Sequence, residues 1–279
     1  MLGIFDSGFG GLTVLKAVRD LLPKHDILYL GDNARAPYGN RSRDQLTVFT
    51  KECCSFLFDR GCTLIVLACN TVSAETLRDL QQKWLPSLGG NPKNIIGVVR
   101  PLAEEAVLHT KNNRIAVVGT RSTVESETYV EELQKLKPEV TVIQKACPLL
   151  VPLVEEGWEE KPETRKILRT YLASVKSANP DVLILGCTHY EILHPQFLQN
   201  MGRRCKVLHS PSIIAKKLED YLKRHPEYDA TIPHTSETIF LTTGDPERFR
   251  ELGERFYGAR MGKVERVGDI SLAQKKGGC

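Results

Sequence analysis

Apolar and polar positions follow two patterns along the chain. Short and almost purely apolar runs, such as 2–5, 64–67 and 182–185, predict strands that are buried on both faces, as in a parallel sheet. Longer stretches between these runs carry apolar residues at helical spacing. The segment 12–22, for example, has such a face and is closed by Pro23. Because strands alternate with helices along most of the chain, the pattern predicts an α/β fold with mainly parallel sheets.

The same two patterns predict the other elements. Further strands are expected at 27–30, 95–99, 115–119, 140–146, 206–209, 238–242 and 264–267. Further helices are expected at 42–60, 73–84, 101–109, 122–136, 149–156, 162–177, 193–199, 210–224 and 246–256. The segments 35–40, 86–94 and 228–233 are rich in turn or polar residues and are predicted to be loops, and the tail 271–279 is predicted to be frayed.

Two of the predicted strands end in the same way. The run 64–67 leads into ACNT at 68–71, and the run 182–185 leads into GCTHY at 186–190. In open α/β sheets, ligands bind beyond the carboxyl ends of the strands, so both cysteines are predicted to lie where a ligand binds. This repeated pattern of a strand followed by a cysteine predicts two similar α/β domains with an active site in the cleft between them.

Composition narrows the classes of function. The chain has 279 residues, 41% hydrophobic and 26% charged, as in ordinary globular proteins. Its 38 basic and 34 acidic residues form no basic block, so no nucleic-acid partner is expected. No apolar run approaches the roughly 20 residues of a membrane span, and no signal peptide is expected. Eight dilute cysteines without CxxC or zinc-type spacing favour free thiols in the cytoplasm.

A thiol at a strand end can act as nucleophile, metal ligand, redox partner or proton carrier. Only His189 lies near either cysteine in the sequence, which disfavours a metal site. A protease-like site would use one cysteine and leave the other unexplained. Two thiols on opposite sides of one carbon can do different chemistry: one removes a proton, the other returns a proton to the opposite face, and the centre is inverted. Cysteine has a pKa of about 8.5, so a neighbouring imidazole or carboxylate must assist it.

Six motifs carry a resemblance to a known family. They are GIFDSGFGGLTVL at 3–15, GDNARAPYG at 31–39, ACNTVSA at 68–74, CPLLVPLVEEG at 147–157, LGCTHY at 185–190 and TGDPERFRELG at 243–253. With these motifs the chain resembles the glutamate racemases of the cofactor-independent, two-cysteine type over nearly its whole length.

The resemblance implies a role for each matching residue. Cys69 and Cys187 would transfer protons, Asp6 would assist Cys69, and His189 with Glu155 would assist Cys187. The residues expected to bind substrate are Asp6, Ser7, Pro37, Tyr38, Gly39, Asn70, Thr71, Thr188 and His189. No metal and no cofactor are expected.

The resemblance also implies an organisation and a biological role. The first domain would comprise 1–97 and 210–279, and the second 98–209, since the chain of this family crosses into the second domain and returns. A cytoplasmic homodimer is expected, interconverting L- and D-glutamate for peptidoglycan synthesis. The expected partners are thus the substrate and a second copy of the chain, with no nucleic acid and no membrane.

Other interpretations stay open at this point. Asp6 could simply cap the helix that follows it, His189 could be a structural loop residue, and Glu156 competes with Glu155 for the assisting role. At the level of function the alternatives are an aspartate racemase, which the GCTHY ending disfavours, and a thiol redox or binding protein on the same scaffold.

Overall fold

The computed structural model describes residues 1–90, 92–268 and 270. The tail 271–279, predicted to be frayed, therefore lies outside the described residues. Within the described part of the chain, no helix combines the length and the apolar character that crossing a membrane requires. Ten strands and twelve α-helices alternate over these residues.

All the described strands pair in parallel and form two sheets. The strands are β1 (Leu2–Asp6), β2 (Ile27–Gly31), β3 (Leu64–Leu67), β4 (Asn94–Gly97), β5 (Arg114–Gly119), β6 (Thr141–Ala146), β7 (Val182–Gly186), β8 (Lys206–Val207), β9 (Thr238–Thr242) and β10 (Val264–Arg266). The larger sheet has the order β10-β9-β2-β1-β3-β4, and the smaller sheet has the order β6-β5-β7-β8. The predicted α/β class with mainly parallel sheets is confirmed.

Helices cover the faces of both sheets. They are α1 (Leu12–Leu21), α2 (Arg43–Asp59), α3 (Asn70–Asp79), α4 (Val99–His109), α5 (Arg121–Glu125), α6 (Thr128–Leu136), α7 (Leu150–Glu155), α8 (Pro162–Ser177), α9 (His194–Met201), α10 (Ser210–Arg224), α11 (Pro226–Asp229) and α12 (Pro246–Tyr257). Because both faces are covered, β1, β3 and β7 are buried at every position, which explains their unbroken apolar sequences.

Four helical segments differ from the prediction for local reasons. The helix expected at 73–84 begins at Asn70, because Cys69 is its N-cap, and it continues as a π-helical turn over Leu80–Trp84. The helix expected at 122–136 divides into α5 and α6 at Glu127, whose backbone is left-handed with φ of 54°. Helix α4 begins two residues before Pro101, whose missing N–H is harmless in a first turn. Helix α11 occupies the start of the predicted loop 228–233.

One apolar core runs between the two sheets. It includes Leu2 and Ile4 of β1 and Leu183 and Leu185 of β7, all fully buried. Strands from the first and last parts of the chain form the larger sheet, and strands β5 to β8 form the smaller sheet. Helix α10 contacts both α1 and α4. The domain boundaries at 97/98 and 209/210 stay a prediction.

Candidate active site

The carboxyl ends of the central strands of both sheets open into one cleft, with a volume of about 470 Å³. Every residue predicted for the site lines this cleft except Asp6: Ser7, Pro37, Tyr38, Gly39, Cys69, Asn70, Thr71, Glu155, Cys187, Thr188 and His189. The larger sheet contributes the residues up to Thr71, and the others follow β6 or β7. The two cysteines, 118 positions apart in sequence, thus face one space.

Cys69 lies at the amino end of a helix. It is the N-cap of α3, it is only 6% exposed, and the backbone N–H groups of Thr71 and Val72 lie close enough to its sulfur to lower its pKa. The Cys69 thiol lies 3.6 Å from the Ser7 hydroxyl oxygen. Burial, with the nearby Asp6 carboxylate, raises the pKa of Cys69 to about 11 in spite of these donors. The thiol is therefore protonated at neutral pH in the free protein.

Asp6 lies beneath the cleft, fully buried at the end of β1. One of its carboxylate oxygens accepts a hydrogen bond from the Gly8 N–H at 2.9 Å, and the other lies 3.4 Å from the Thr188 hydroxyl oxygen. Burial raises the pKa of Asp6 above its usual value, although these donors and His189 oppose the rise. A raised pKa makes this carboxylate a better proton acceptor than an exposed one.

Cys187 repeats the placement of Cys69 at a shorter element. It is the N-cap of a 3₁₀-helical turn, Thr188–Leu193, and the backbone N–H groups of His189 and Tyr190 lie close enough to its sulfur to oppose the rise of its pKa. Burial raises the pKa of Cys187 well above that of a free thiol, and the proximity of Cys69 and Asp6 adds to the rise. Cys69 can raise the pKa of Cys187 because the two thiols share one cleft.

His189 and Glu155 form a pair on the Cys187 side. The His189 Nε2 atom lies 3.0 Å from Glu155 Oε1, while the edge of the ring meets the Phe256 ring with centroids 5.2 Å apart. A carboxylate in this position orients the imidazole ring. Because Glu155, and not Glu156, both lines the cleft and contacts His189, the geometry favours Glu155 as the partner.

The loop that carries Tyr38 is held from behind by Asp32. The Tyr38 hydroxyl donates to Asp32 Oδ2, which also accepts a hydrogen bond from Arg35 Nε at 2.6 Å. The second oxygen of Asp32 accepts from the Thr243 hydroxyl at 2.7 Å. Buried carboxylates with this many donors fix their surroundings, so the cleft wall at Tyr38 has a defined position.

Side chains also bond across the cleft floor. The Thr71 and Thr120 hydroxyl oxygens lie 3.0 Å apart, and the Tyr129 hydroxyl donates to Asn70 Oδ1 at 2.6 Å. Each pair joins a residue of α3, which follows the larger sheet, to the part of the chain that follows β5. Gly10 must stay small here, because a Cβ would lie 2.2 Å from the Thr188 hydroxyl oxygen. The floor is therefore closely packed between the two halves.

The sequence reasoning missed several residues of the cleft. These include Asn33, Asn40, Thr120, Arg121, Pro148, Val151, Pro152, Gly244, Asp245, Arg248 and Phe249. The position of Thr120 could have been inferred from that of Ser7. Thr120 follows Gly119, whose register partner Gly186 precedes Cys187. Ser7 likewise follows the strand that pairs with the strand before Cys69. Each cysteine thus has a hydroxyl residue at the end of the neighbouring strand.

The glycine-rich turn after β1 directs backbone N–H groups at Asp6. The Gly8 N–H donates a hydrogen bond to the Asp6 carboxylate, and the Gly11 N–H also lowers the pKa of this carboxyl. At the other two turns the backbone donors point at the sulfur atoms of Cys69 and Cys187. These donors favour the thiolate forms, which is the state that a proton-abstracting cysteine must reach.

Comparison with known proteins places this geometry in a family. Residues 13–218 match the family model described as Asp/Glu/Hydantoin racemase. Glutamate racemase of Geobacter metallireducens is 38% identical over 267 residues, which cover 95% of this chain and 96% of that protein. The enzyme of Aquifex aeolicus is 45% identical over 222 residues, covering 80% and 83% of the two chains.

A solved structure gives the same result. The crystal structure of glutamate racemase from Francisella tularensis in complex with D-glutamate superposes with a TM-score of 0.86 and 31% identity, over 96% of this chain and 97% of that one. The match thus covers nearly the whole chain. The chain belongs to the Asp/Glu/hydantoin racemase family.

Proposed function

We propose that this protein is a glutamate racemase, which interconverts L- and D-glutamate by moving a proton from one face of the α-carbon to the other. The observation that carries the proposal is the pair of buried cysteines, each at the amino end of a helical turn, in one cleft. The named relatives supply the substrate. The reaction delivers D-glutamate for peptidoglycan synthesis.

On one face, Cys69 exchanges the proton. Its thiolate forms when Asp6, whose pKa is raised by burial, accepts the thiol proton, and the N–H groups of Thr71 and Val72 then stabilise the sulfur anion. Ser7 provides a further hydroxyl beside the sulfur. The thiolate removes the α-proton, and in the reverse direction the thiol returns it.

On the other face, Cys187 exchanges the proton. His189, oriented by Glu155, serves as the acid and base that resets the thiol, and the N–H groups of His189 and Tyr190 stabilise the thiolate. The roles reverse with the direction of reaction, since the same groups must act in both directions. Inversion follows because the proton leaves from one side and returns from the other.

Hydroxyl and amide groups hold the substrate between the thiols. Ser7, Asn70, Thr71 and Thr188 line the cleft with neutral donors. Pro37, Tyr38 and Gly39 form the wall opposite them, held by Asp32. These hydroxyl and amide groups would hydrogen-bond the carboxylates and the amine of the substrate, and the cations Arg121 and Arg248 line the same cleft.

Incubation with L-glutamate and, separately, L-aspartate in D₂O tests this function. We expect glutamate to lose its chirality and to gain deuterium at the α-carbon, with the enantiomer ratio approaching one, and aspartate to change far more slowly. Racemised aspartate with unchanged glutamate would make the protein an aspartate racemase. Retained chirality and no deuterium in either amino acid would favour a thiol redox or binding role.

We also propose that the enzyme works without a cofactor, in the cytoplasm and as a homodimer. The chemistry above uses only side chains of this chain. Exhaustive dialysis against a chelator should leave the activity intact. Activity restored only by pyridoxal phosphate or a metal ion would contradict the first part, and a monomer by sedimentation at assay concentration would contradict the last.

A further inference from the structure

Two histidines and one aspartate meet beside the amino end of strand β2 of the larger sheet. His25 precedes β2, Asp229 ends α11, and His234 lies in the connection from α11 to β9. Their donor atoms all lie within 4.8 Å of one another. His25 stands at the amino end of β2, whereas the cleft opens at the carboxyl ends of the strands. The cluster is therefore separate from the candidate active site.

The backbone around the cluster is firmly held. The Asp26 N–H donates to the Pro233 carbonyl oxygen at 2.8 Å, and the Ser236 N–H donates to the Lys24 carbonyl oxygen at 2.9 Å. Asp26 further accepts from the N–H of Thr235 at 2.8 Å. These hydrogen bonds join the residues on either side of His25 to the residues around His234. The backbone therefore holds the two imidazole rings next to each other.

The contacts of the His25 ring leave one nitrogen without a partner. Its Nε2 atom lies 2.8 Å from Asp229 Oδ1, while its Nδ1 atom is buried and makes no hydrogen bond. The His234 ring packs against it with centroids 4.4 Å apart. This arrangement brings one ligand atom of each residue within reach of a single ion, which would displace the proton that His25 and Asp229 share.

We propose that His25, His234 and Asp229 bind one divalent transition-metal ion of the zinc class. Two imidazoles and a carboxylate suit Zn²⁺, with water completing the coordination, and disfavour Ca²⁺ and Mg²⁺, which prefer oxygen ligands. The exposed His234 and the 39% exposed Asp229 side chain give the ion a path from solvent. The ion would tether the connection between α11 and β9 to the amino end of β2.

Titration of the metal-free full-length protein with Co²⁺ at pH 7.5, followed by absorption and calorimetry, tests the site. We expect one ion per chain and visible d–d bands without the thiolate charge-transfer band that cysteine ligands would add. His234→Ala and Asp229→Asn should weaken binding by at least about ten-fold. Zn²⁺ should raise the Tm of the parent protein and leave that of His234→Ala unchanged.

His225→Asn is the matched control. This histidine lies in the same segment and contacts Glu227, outside the cluster, so its loss should leave Co²⁺ binding and the Zn²⁺ effect on Tm intact. Three results would overturn the proposal: no stoichiometric binding by the parent protein, equal binding by His234→Ala, or a thiolate band that persists in His234→Ala and assigns the ion to the cysteines. Because His234 is exposed, its replacement keeps the fold available for this comparison.

Discussion

The two halves of the cleft place a thiol in the same way and support it differently. Both cysteines are N-caps, and at each of them two nearby backbone N–H groups lower the pKa of the thiol. Behind Cys69 lies a ten-residue α-helix and a fully buried carboxylate, Asp6. Behind Cys187 lies a short 3₁₀-helical turn and a pair formed by the buried His189 and the partly exposed Glu155. The two halves therefore share the position of the thiol, but the titratable groups beside the thiol differ between them.

Replacing either thiol should have the largest effect. Cys69→Ser and Cys187→Ser should each lower the racemisation rate by about 10²–10⁴-fold or more, because a serine hydroxyl is a much weaker acid than a thiol. Polarimetry in both directions measures the loss. Cys62→Ser and Cys205→Ser, which change buried cysteines outside the cleft, serve as matched controls and should keep near-parental rates.

Replacing the imidazole tests the Cys187 half alone. His189→Asn should slow the direction that needs protonation by Cys187, by about 10²-fold, with little change in binding. Because the overall equilibrium stays at one, the asymmetry must appear in KM or in single-turnover rates. Glu155→Gln should follow with a smaller loss, since Glu155 acts through His189. Near-parental single-turnover rates in both directions would make His189 a structural loop residue.

A buried carboxyl beneath the Cys187 turn gives that half a pH-dependent stability. Burial raises the pKa of Glu191 from 4.5 to about 7. One of its oxygens accepts from the Ser210 N–H at 3.1 Å, and the other is buried without a partner. The folded state therefore binds a proton that the unfolded state has released, and the free energy of unfolding falls as pH rises from 4.5 to 7.

The shift of Glu191 corresponds to roughly 3 kcal/mol across that window. Denaturant unfolding at pH 5 and pH 8 measures it. Glu191→Gln should flatten the difference and be more stable than the parent protein at pH 8. An unchanged pH dependence would mean that the carboxyl is already relieved by solvent or by a partner.

Replacing Asp6 should have the smallest effect on the free protein among the four sets of replacements. Removing its charge by Asp6→Asn lowers the pKa of Cys69, which burial and Asp6 together raise to about 11. In a Cys187→Ser background, the pH profile of alkylation at Cys69 should move to lower pH, while racemisation in the Cys187-intact protein falls because the proton acceptor is gone. A profile that stays in place would separate Asp6 from the Cys69 thiol.

The sequence predicted the strand ends well and the loops poorly. Apolar runs such as that before Cys187 predicted their strands within a residue or two, because only buried parallel strands tolerate such sequences. The break at Glu127 and the early start of α3 depend on one backbone angle and one N-cap, which composition does not encode. Asn33 and Arg248 reach the cleft only through sheet order, so reading along the chain did not reveal them.

Enantiomer-specific elimination tests most directly whether the two thiols serve opposite faces. Each serine variant keeps one thiol, which can remove the α-proton of β-chloroglutamate while chloride leaves the β-carbon, without any proton return to the other face. Cys69→Ser and Cys187→Ser should release chloride from β-chloroglutamates of opposite configuration at the α-carbon. If both variants process the same enantiomer, the two cysteines act on one face and the account is contradicted.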